Sequence, residues 1–180
     1  MAETNRSEPG LGARLAIGAI AGFVATMAMT ATMRRLHGKL PRKERYPLPP
    51  RELTDRILAP PDRVAPDLAL IAHFAYGAGC GALLAALGPK PGRLTGALAG
   101  SGVWLASYMG WVPAFGVLRP ATDHPGRRNL LMLRAHFTWG WATAAGINEL
   151  IRARATILAA GPVRDAPGRR SETKAVQSLS

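Results

Sequence analysis

Several things are scarce or missing in this 180-residue chain. It has one cysteine, Cys80, which excludes an intramolecular disulfide and any cysteine-rich metal cluster. Cys80 sits inside an apolar run and reads as a small packing residue rather than a reactive thiol. No Gly-Lys-Ser/Thr loop is present to cradle a phosphate, and no His-Glu-x-x-His is present to hold a catalytic zinc. Ser101 and Ser107 have no acidic partner near them in sequence, so no nucleophile and base stand in an orienting arrangement. The chain therefore reads as non-enzymatic, with no catalytic residue, cofactor or metal site assigned.

The most informative absence is local. Asp, Glu, Lys and Arg are missing from Leu15 to Met33, from Leu68 to Pro89 and from Leu94 to Leu118. Only Arg134 interrupts the run from Leu130 to Asn148. Each block has about 19 to 25 residues, enough at roughly 1.5 Å per residue to cross a hydrocarbon core of about 30 Å. The mean hydropathy of +0.05 is near zero because charged connectors cancel apolar spans.

What is abundant is positive charge, 23 Lys plus Arg against 11 Asp plus Glu. A basic face tracking phosphates would suggest nucleic acid. Here the cations flank apolar runs: Arg34, Arg35, Lys39, Arg42, Lys43 and Arg45 follow the first, and Arg152 and Arg154 the last. That placement fits topology signals and contact with anionic lipid headgroups, and nucleic acid is not expected as a partner. The first run exceeds a signal-peptide core and is followed at once by a basic cluster, so it reads as a retained helix.

These features predict an all-α integral membrane four-helix bundle, with helices at 14–33, 68–87, 94–118 and 130–151. Residues 1–13 form a polar tail, 34–67 a proline-rich connector, and 152–180 a basic tail; both tails read as disordered. Within the connector, residues 50–58 suit a short interfacial helix in which Glu52 pairs with Arg56 and in which Leu53 and Ile57 share a side. The turn at 88–93 makes the second and third helices antiparallel neighbours, and Pro113 should kink the third. Eleven cations flank the helices on the two-loop side against about seven on the side of the termini, which favours termini outside.

A duplication runs through the chain. His73-Phe74-Ala75-Tyr76-Gly77 matches His136-Phe137-Thr138-Trp139-Gly140, and Gly18-Ala19-Ile20-Ala21-Gly22 matches Gly96-Ala97-Leu98-Ala99-Gly100. Two matches in the same order predict two parallel-duplicated helical hairpins. Gly18 and Gly22, Gly77 and Gly81, and Gly96 and Gly100 each stand four apart, giving flat strips for close helix packing.

The candidate site follows from the same repeat. His73 and His136 enter from the connector side, with Tyr76 and Trp139 on their faces. Trp104, Tyr108 and Trp111 form an i, i+4, i+7 stripe, and Thr26 and Thr30 lie at similar depth. The ligand or proton site is accordingly assigned to His73, Tyr76, Tyr108, Trp111, His136 and Trp139, because ionisable groups inside a membrane are costly and face interior partners. Three roles stay open: hydrogen bonds that only fix register, a proton-linked or ligand-binding function, and metal or bis-histidine haem ligation. Arg134 and Glu149 are expected to snorkel to opposite interfaces. Asp123, His124 and Asn148 are expected to be solvated near helix ends.

Several motifs occur in chain order: Tyr46-Pro47-Leu48-Pro49-Pro50-Arg51-Glu52-Leu53-Thr54, His73-x-x-Tyr76-Gly77, Trp104-x-x-Ser107-Tyr108-x-Gly110-Trp111-x-Pro113, Pro120-Ala121-Thr122 and His136-x-x-Trp139-Gly140. Over Leu15 to Ile151 the set resembles small bacterial multi-span inner-membrane proteins of unknown function, the YagU-like proteins. The resemblance implies a multi-pass protein of the bacterial cytoplasmic membrane and carries over no catalytic residue. The leading expectation is a non-enzymatic accessory or scaffold bundle, with a homo-oligomer or membrane complex as its setting. A small transporter or proton-linked permeation unit using the two histidines is the alternative, and a haem- or metal-binding redox protein the second.

Overall fold

The computed structural model describes residues 8–88 and 90–159. Among the described residues it is all-helical and holds no strand. Helix α1 spans Leu11–His37, α2 Pro49–Leu58, α3 Ala65–Leu87, α4 Arg93–Leu105, α5 Val112–Ala114 and α6 Gly126–Ala155. A π-helical stretch, Ala106–Trp111, joins α4 to α5. Helix α1 begins at Leu11, inside the tail expected to be disordered, and α6 continues past the expected end at 151 to Ala155; the expected disorder of 1–7 and 160–180 lies outside the described residues.

Helices α1 and α3 are long and apolar enough to cross a membrane. Their apolar residues lie all round the helix rather than on one stripe, the pattern of a helix without a water-facing side. Helix α2 differs: it opens on Pro49 and Pro50, where the missing N–H costs nothing, and carries polar and apolar faces. Its ion pair is Arg51 with Asp55, at 2.8 Å, rather than Glu52 with Arg56. Glu52 turns inward instead, toward Arg128.

Proline and glycine end the third long segment earlier than its charge-free run suggests. Pro113 has no N–H to offer the Met109 carbonyl, and its ring crowds the preceding turn, so regular α-geometry fails there. The backbone widens into the π-helical stretch, and Gly110 absorbs the distortion at φ −107°, ψ −106°. Gly116 then closes the helix at φ +66°. Its N–H donates to the Pro113 carbonyl, and the Val117 N–H donates to that of Val112, a Schellman stop.

Packing centres on α1 and α6. Helix α1 lies against both α3 and α6, and α6 also carries α4, whereas α3 and α4 hardly touch. The sequence expectation that the 88–93 turn packs these two against each other is therefore overturned. The turn joins them at one end only, where Asn148 of α6 donates to the Pro91 carbonyl at 2.8 Å and Arg93 lies over the Trp141 ring. Arg14 caps α3 in the same region, donating to the Ala85 and Ala86 carbonyls, which suits a cation at a helix C-terminus.

Two glycine seams set the close approaches. A Cβ on Gly22 would run into the Gly77 carbonyl oxygen and the Gly81 Cα, and one on Gly18 into Gly81 and Ala85. In the other seam, a Cβ on Gly100 would meet the His136 carbonyl and Gly140, and one on Gly96 would meet Gly140 and Ala144. In the motif alignment Gly140 corresponds to Gly77, so the second seam is displaced by one helical turn from the first. Between α1 and α6 the core is Ala25, Met29 and Met33 against Leu131, Met132, Ala135 and Trp139.

Candidate functional site

Because α3 and α4 diverge from their shared turn, they leave a cavity of about 290 Å³ between them. Thr26 and Met29 of α1 and Met132, His136 and Trp139 of α6 form its floor. His73, Tyr76 and Cys80 form one wall, and Trp104, Ser107, Tyr108 and Trp111 the other. Leu53 and Ile57 of α2 close the connector end. All six sequence-assigned site residues, His73, Tyr76, Tyr108, Trp111, His136 and Trp139, line this one cavity. Thr26 lines it too, while Thr30 does not and donates to the Thr26 carbonyl.

The helices begin further out than expected, so the histidines lie deeper than the sequence boundaries imply. His73 stands eight positions after Ala65 and His136 ten after Gly126, roughly 12 and 15 Å along their helices. The π-helical stretch also matters for the site. Such bulges re-aim side chains and recur at functional positions, and here the stretch carries Ser107, Tyr108 and Trp111 into the wall.

Hydrogen bonding divides the polar groups of the cavity into committed and free. Trp139 donates its indole N–H to the Gly22 carbonyl at 3.2 Å. Ser107 donates to the Val103 carbonyl, so the 2.9 Å contact with Tyr76 requires the Tyr76 hydroxyl to donate to the Ser107 oxygen. His136 lies with Nδ1 2.9 Å from the Met132 carbonyl, which can only accept; Nδ1 therefore carries the proton, and in the neutral ring Nε2 keeps its lone pair. On the residues that line the cavity, three buried polar atoms are left without a partner: His73 Nε2, Trp104 Nε1 and the Tyr108 hydroxyl.

A second cluster closes the connector end. Arg128, only 1% exposed, lies in the first turn of α6, where a cation opposes the helix dipole. It is held there by acceptors from the connector. The guanidinium donates to the Tyr46 carbonyl at 2.8 Å, to the Pro47 carbonyl and to Glu52 Oε1 at 3.5 Å, and it stacks on the Tyr46 ring with 3.5 Å to the centroid. The Tyr46 hydroxyl shares a 2.8 Å hydrogen bond with His124 Nδ1, and the His124 ring stacks on Tyr108 at 5.5 Å between centroids. Arg128 is thus linked through Tyr46 and His124 to the cavity wall.

Burial raises the Glu52 carboxyl above its ordinary value, a shift that Arg128 and Arg56 oppose. Burial lowers His124, and the Arg128 charge adds to the lowering. Arg128, one of the eleven cations counted on the two-loop side, is thus buried rather than free in a loop, and His124 is engaged by Tyr46 and Tyr108 rather than solvated as expected. The signal for Arg128 lay in Tyr46-Pro47-Leu48-Pro49-Pro50, a proline-rich stretch too poor in N–H groups to satisfy its own carbonyls. Asn148 is likewise engaged, while Asp123, Arg134 and Glu149 are exposed.

Among the described residues no group of three His, Cys, Asp or Glu side chains converges as a metal site requires. His73, His136 and Cys80 all line the cavity but do not come together as one ligand set. No protein-family model matches the chain, and neither a curated protein nor a solved structure is a significant match.

Proposed function

We propose that the chain is a non-enzymatic membrane protein that holds a small lipophilic molecule in the cavity between α3 and α4. The membrane setting, a four-helix bundle with α1, α3, α4–α5 and α6 as its spans, is supported by more than the two apolar helices. Large apolar side chains project outward from every long helix, including Phe23 and Met27, Leu70 and Ile71, Leu98 and Leu105, and Leu133 and Phe137. A monomer in water rarely exposes so broad an apolar surface, and hydrocarbon accepts it without cost. The matched motifs support reading the bundle as two parallel hairpins, and the count of flanking cations supports termini outside. The YagU-like resemblance supports the bacterial cytoplasmic membrane, where the basic connector would meet anionic headgroups.

The cavity is the observation that carries the binding role. A scaffold that only packed helices would fill this space with side chains, since membrane helices associate through close packing. Instead the two glycine seams draw α3 onto α1 and α4 onto α6, leaving a gap large enough for a ring-sized ligand. Calorimetric titration of protein in lipid nanodiscs with a short alkylbenzene tests this. Saturable binding, one per chain, is expected in the wild type and should be lost in Cys80→Trp, which fills the cavity. Equal binding by both proteins would refute the role.

One observation favours a second reading, a proton-linked permeation unit: the two histidines reach the same cavity from different helices. In liposomes with an imposed pH gradient, proton flux lost in a folded His73→Leu, His136→Leu variant would support it. Equal flux in both would remove it.

A further inference from the structure

The cavity's polar groups restrict what it can hold. No Asp, Glu, Lys or Arg lines it, so a charged ligand would find no counter-ion in a low-dielectric site, and the occupant must be neutral. Its remaining hydrogen-bonding capacity includes two donors on one wall, beside the His136 Nε2 lone pair on the floor. Trp104 Nε1–H can only donate, the Tyr108 hydroxyl can donate, and both lack a partner. The two residues stand one turn apart on the same wall, their rings 6.2 Å between centroids. Tyr108 is only 4% exposed, so its hydroxyl has no ready access to bulk water. Across the cavity His73 Nε2 is also unpartnered. Leaving such groups unsatisfied is costly, and native interiors rarely do so.

From these constraints we infer that the cavity binds a neutral lipophilic ring bearing a carbonyl oxygen, of the quinone type, whose oxygen accepts from Trp104 Nε1–H and the Tyr108 hydroxyl. A carbonyl oxygen has two lone pairs and can accept from both donors at once. A para-quinone offers a second oxygen at its far edge, toward the wall that carries His73. The volume suits such a ring: a cavity of about 150 Å³ is known to take benzene, and this one measures about 290 Å³. The ligand would enter sideways from the lipid, between α3 and α4, where the helices hardly touch. The inference rests on the cavity's being a binding site, and it adds the chemistry of the ligand.

The test compares two probes of equal alkyl length in nanodiscs, an alkylbenzene and a para-benzoquinone whose ring is fully alkyl-substituted so that the Cys80 thiol has no open carbon to add to. Wild-type protein should bind the quinone at least about 5-fold more tightly than the alkylbenzene, as expected for one or two hydrogen bonds to neutral donors. Tyr108→Phe and Trp104→Phe should each lower the preference for quinone over alkylbenzene about 3- to 10-fold, a ratio in which any change of wall volume common to both probes cancels. Saturable alkylbenzene binding also shows that each variant is folded. If both probes bind wild type equally and neither variant discriminates, water satisfies the donors and the carbonyl assignment is overturned while the cavity role stands. If neither probe binds wild-type protein, both fail.

Discussion

The indole N–H of Trp139 donates to the Gly22 carbonyl at 3.2 Å, joining α6 to α1 beneath the cavity. The same carbonyl accepts from Thr26 Oγ1 at 2.8 Å. Trp139 is therefore structural at its polar end, although its ring lines the cavity. Trp104, across the cavity, has its indole N–H free. Trp139→Phe loses that hydrogen bond and part of a buried ring, and should lower stability by about 2 to 4 kcal/mol without lowering the preference for quinone over alkylbenzene. Trp104→Phe should lower that preference at a smaller cost in stability, with thermal melting and probe titration run side by side.

The glycine seams predict steep and selective sensitivity to a single methyl. Gly22→Ala would push a Cβ into the Gly77 carbonyl, where backbone has to move, at a cost of about 1 to 3 kcal/mol. Gly79 and Gly102, on helices of the same seams, meet nothing within 4 Å. Their alanine variants should be neutral or stabilising by up to about 1 kcal/mol, since alanine suits a helix better than glycine. Thermal unfolding in detergent would rank the three.

Removing Arg128 should be among the most damaging single changes. Arg128→Met leaves Glu52 half-buried without its cation and two connector carbonyls without a donor, at a cost of about 3 to 5 kcal/mol. Limited proteolysis should then cut the connector between α1 and α2. Glu52→Gln should cost much less, because the guanidinium keeps the Tyr46 and Pro47 carbonyls and the Tyr46 ring. Equal proteolysis of Arg128→Met and wild type would remove the anchoring role of Arg128.

The same cluster sets opposed pH dependences. The folded state favours neutral His124, so its contribution is complete above the ordinary value of 6.5 and is lost as pH falls through its lowered folded value. Glu52 has a raised folded value; its contribution is complete below 4.5 and is lost as pH rises through that value. Between pH 7 and 5, His124→Gln should therefore retain stability better on acidification than wild type, and Glu52→Gln should retain it less well. Parallel melting profiles for all three proteins would contradict this.

Pro113→Ala tests the origin of the π-helical stretch. Restoring an N–H at 113 lets regular α-geometry continue, which turns Tyr108 and Trp111 relative to the cavity. Helix content by circular dichroism should rise slightly and quinone affinity should fall. Unchanged affinity would mean that the wall is set by packing on α6 rather than by the proline.

Much of the helical framework was legible in the chain because it follows from local chemistry. Charge-free runs place the long helices, prolines 49 and 50 start α2, and Pro113 breaks the third long segment, since each acts through its own backbone or its neighbours'. The residues around the cavity could be named for a similar reason. Helical spacing puts His73 with Tyr76, and Trp104 with Tyr108 and Trp111, on shared faces whatever the helices pack against.

Only the tertiary structure decided which of those groups are free. Whether Trp139 or Trp104 keeps its N–H depends on which carbonyl lies opposite, and that is set by helix register, here displaced by one turn between the two glycine seams. A one-turn shift leaves every local pattern in the sequence unchanged. The separation of α3 from α4 has the same origin: each is drawn more strongly to its glycine-seam partner than to its sequence neighbour. The burial of Arg128 likewise needed a connector folded back some 80 positions away to supply its acceptors. The sequence by itself thus determined the helices and the faces they carry, while long-range packing decided the cavity and its unpartnered donors.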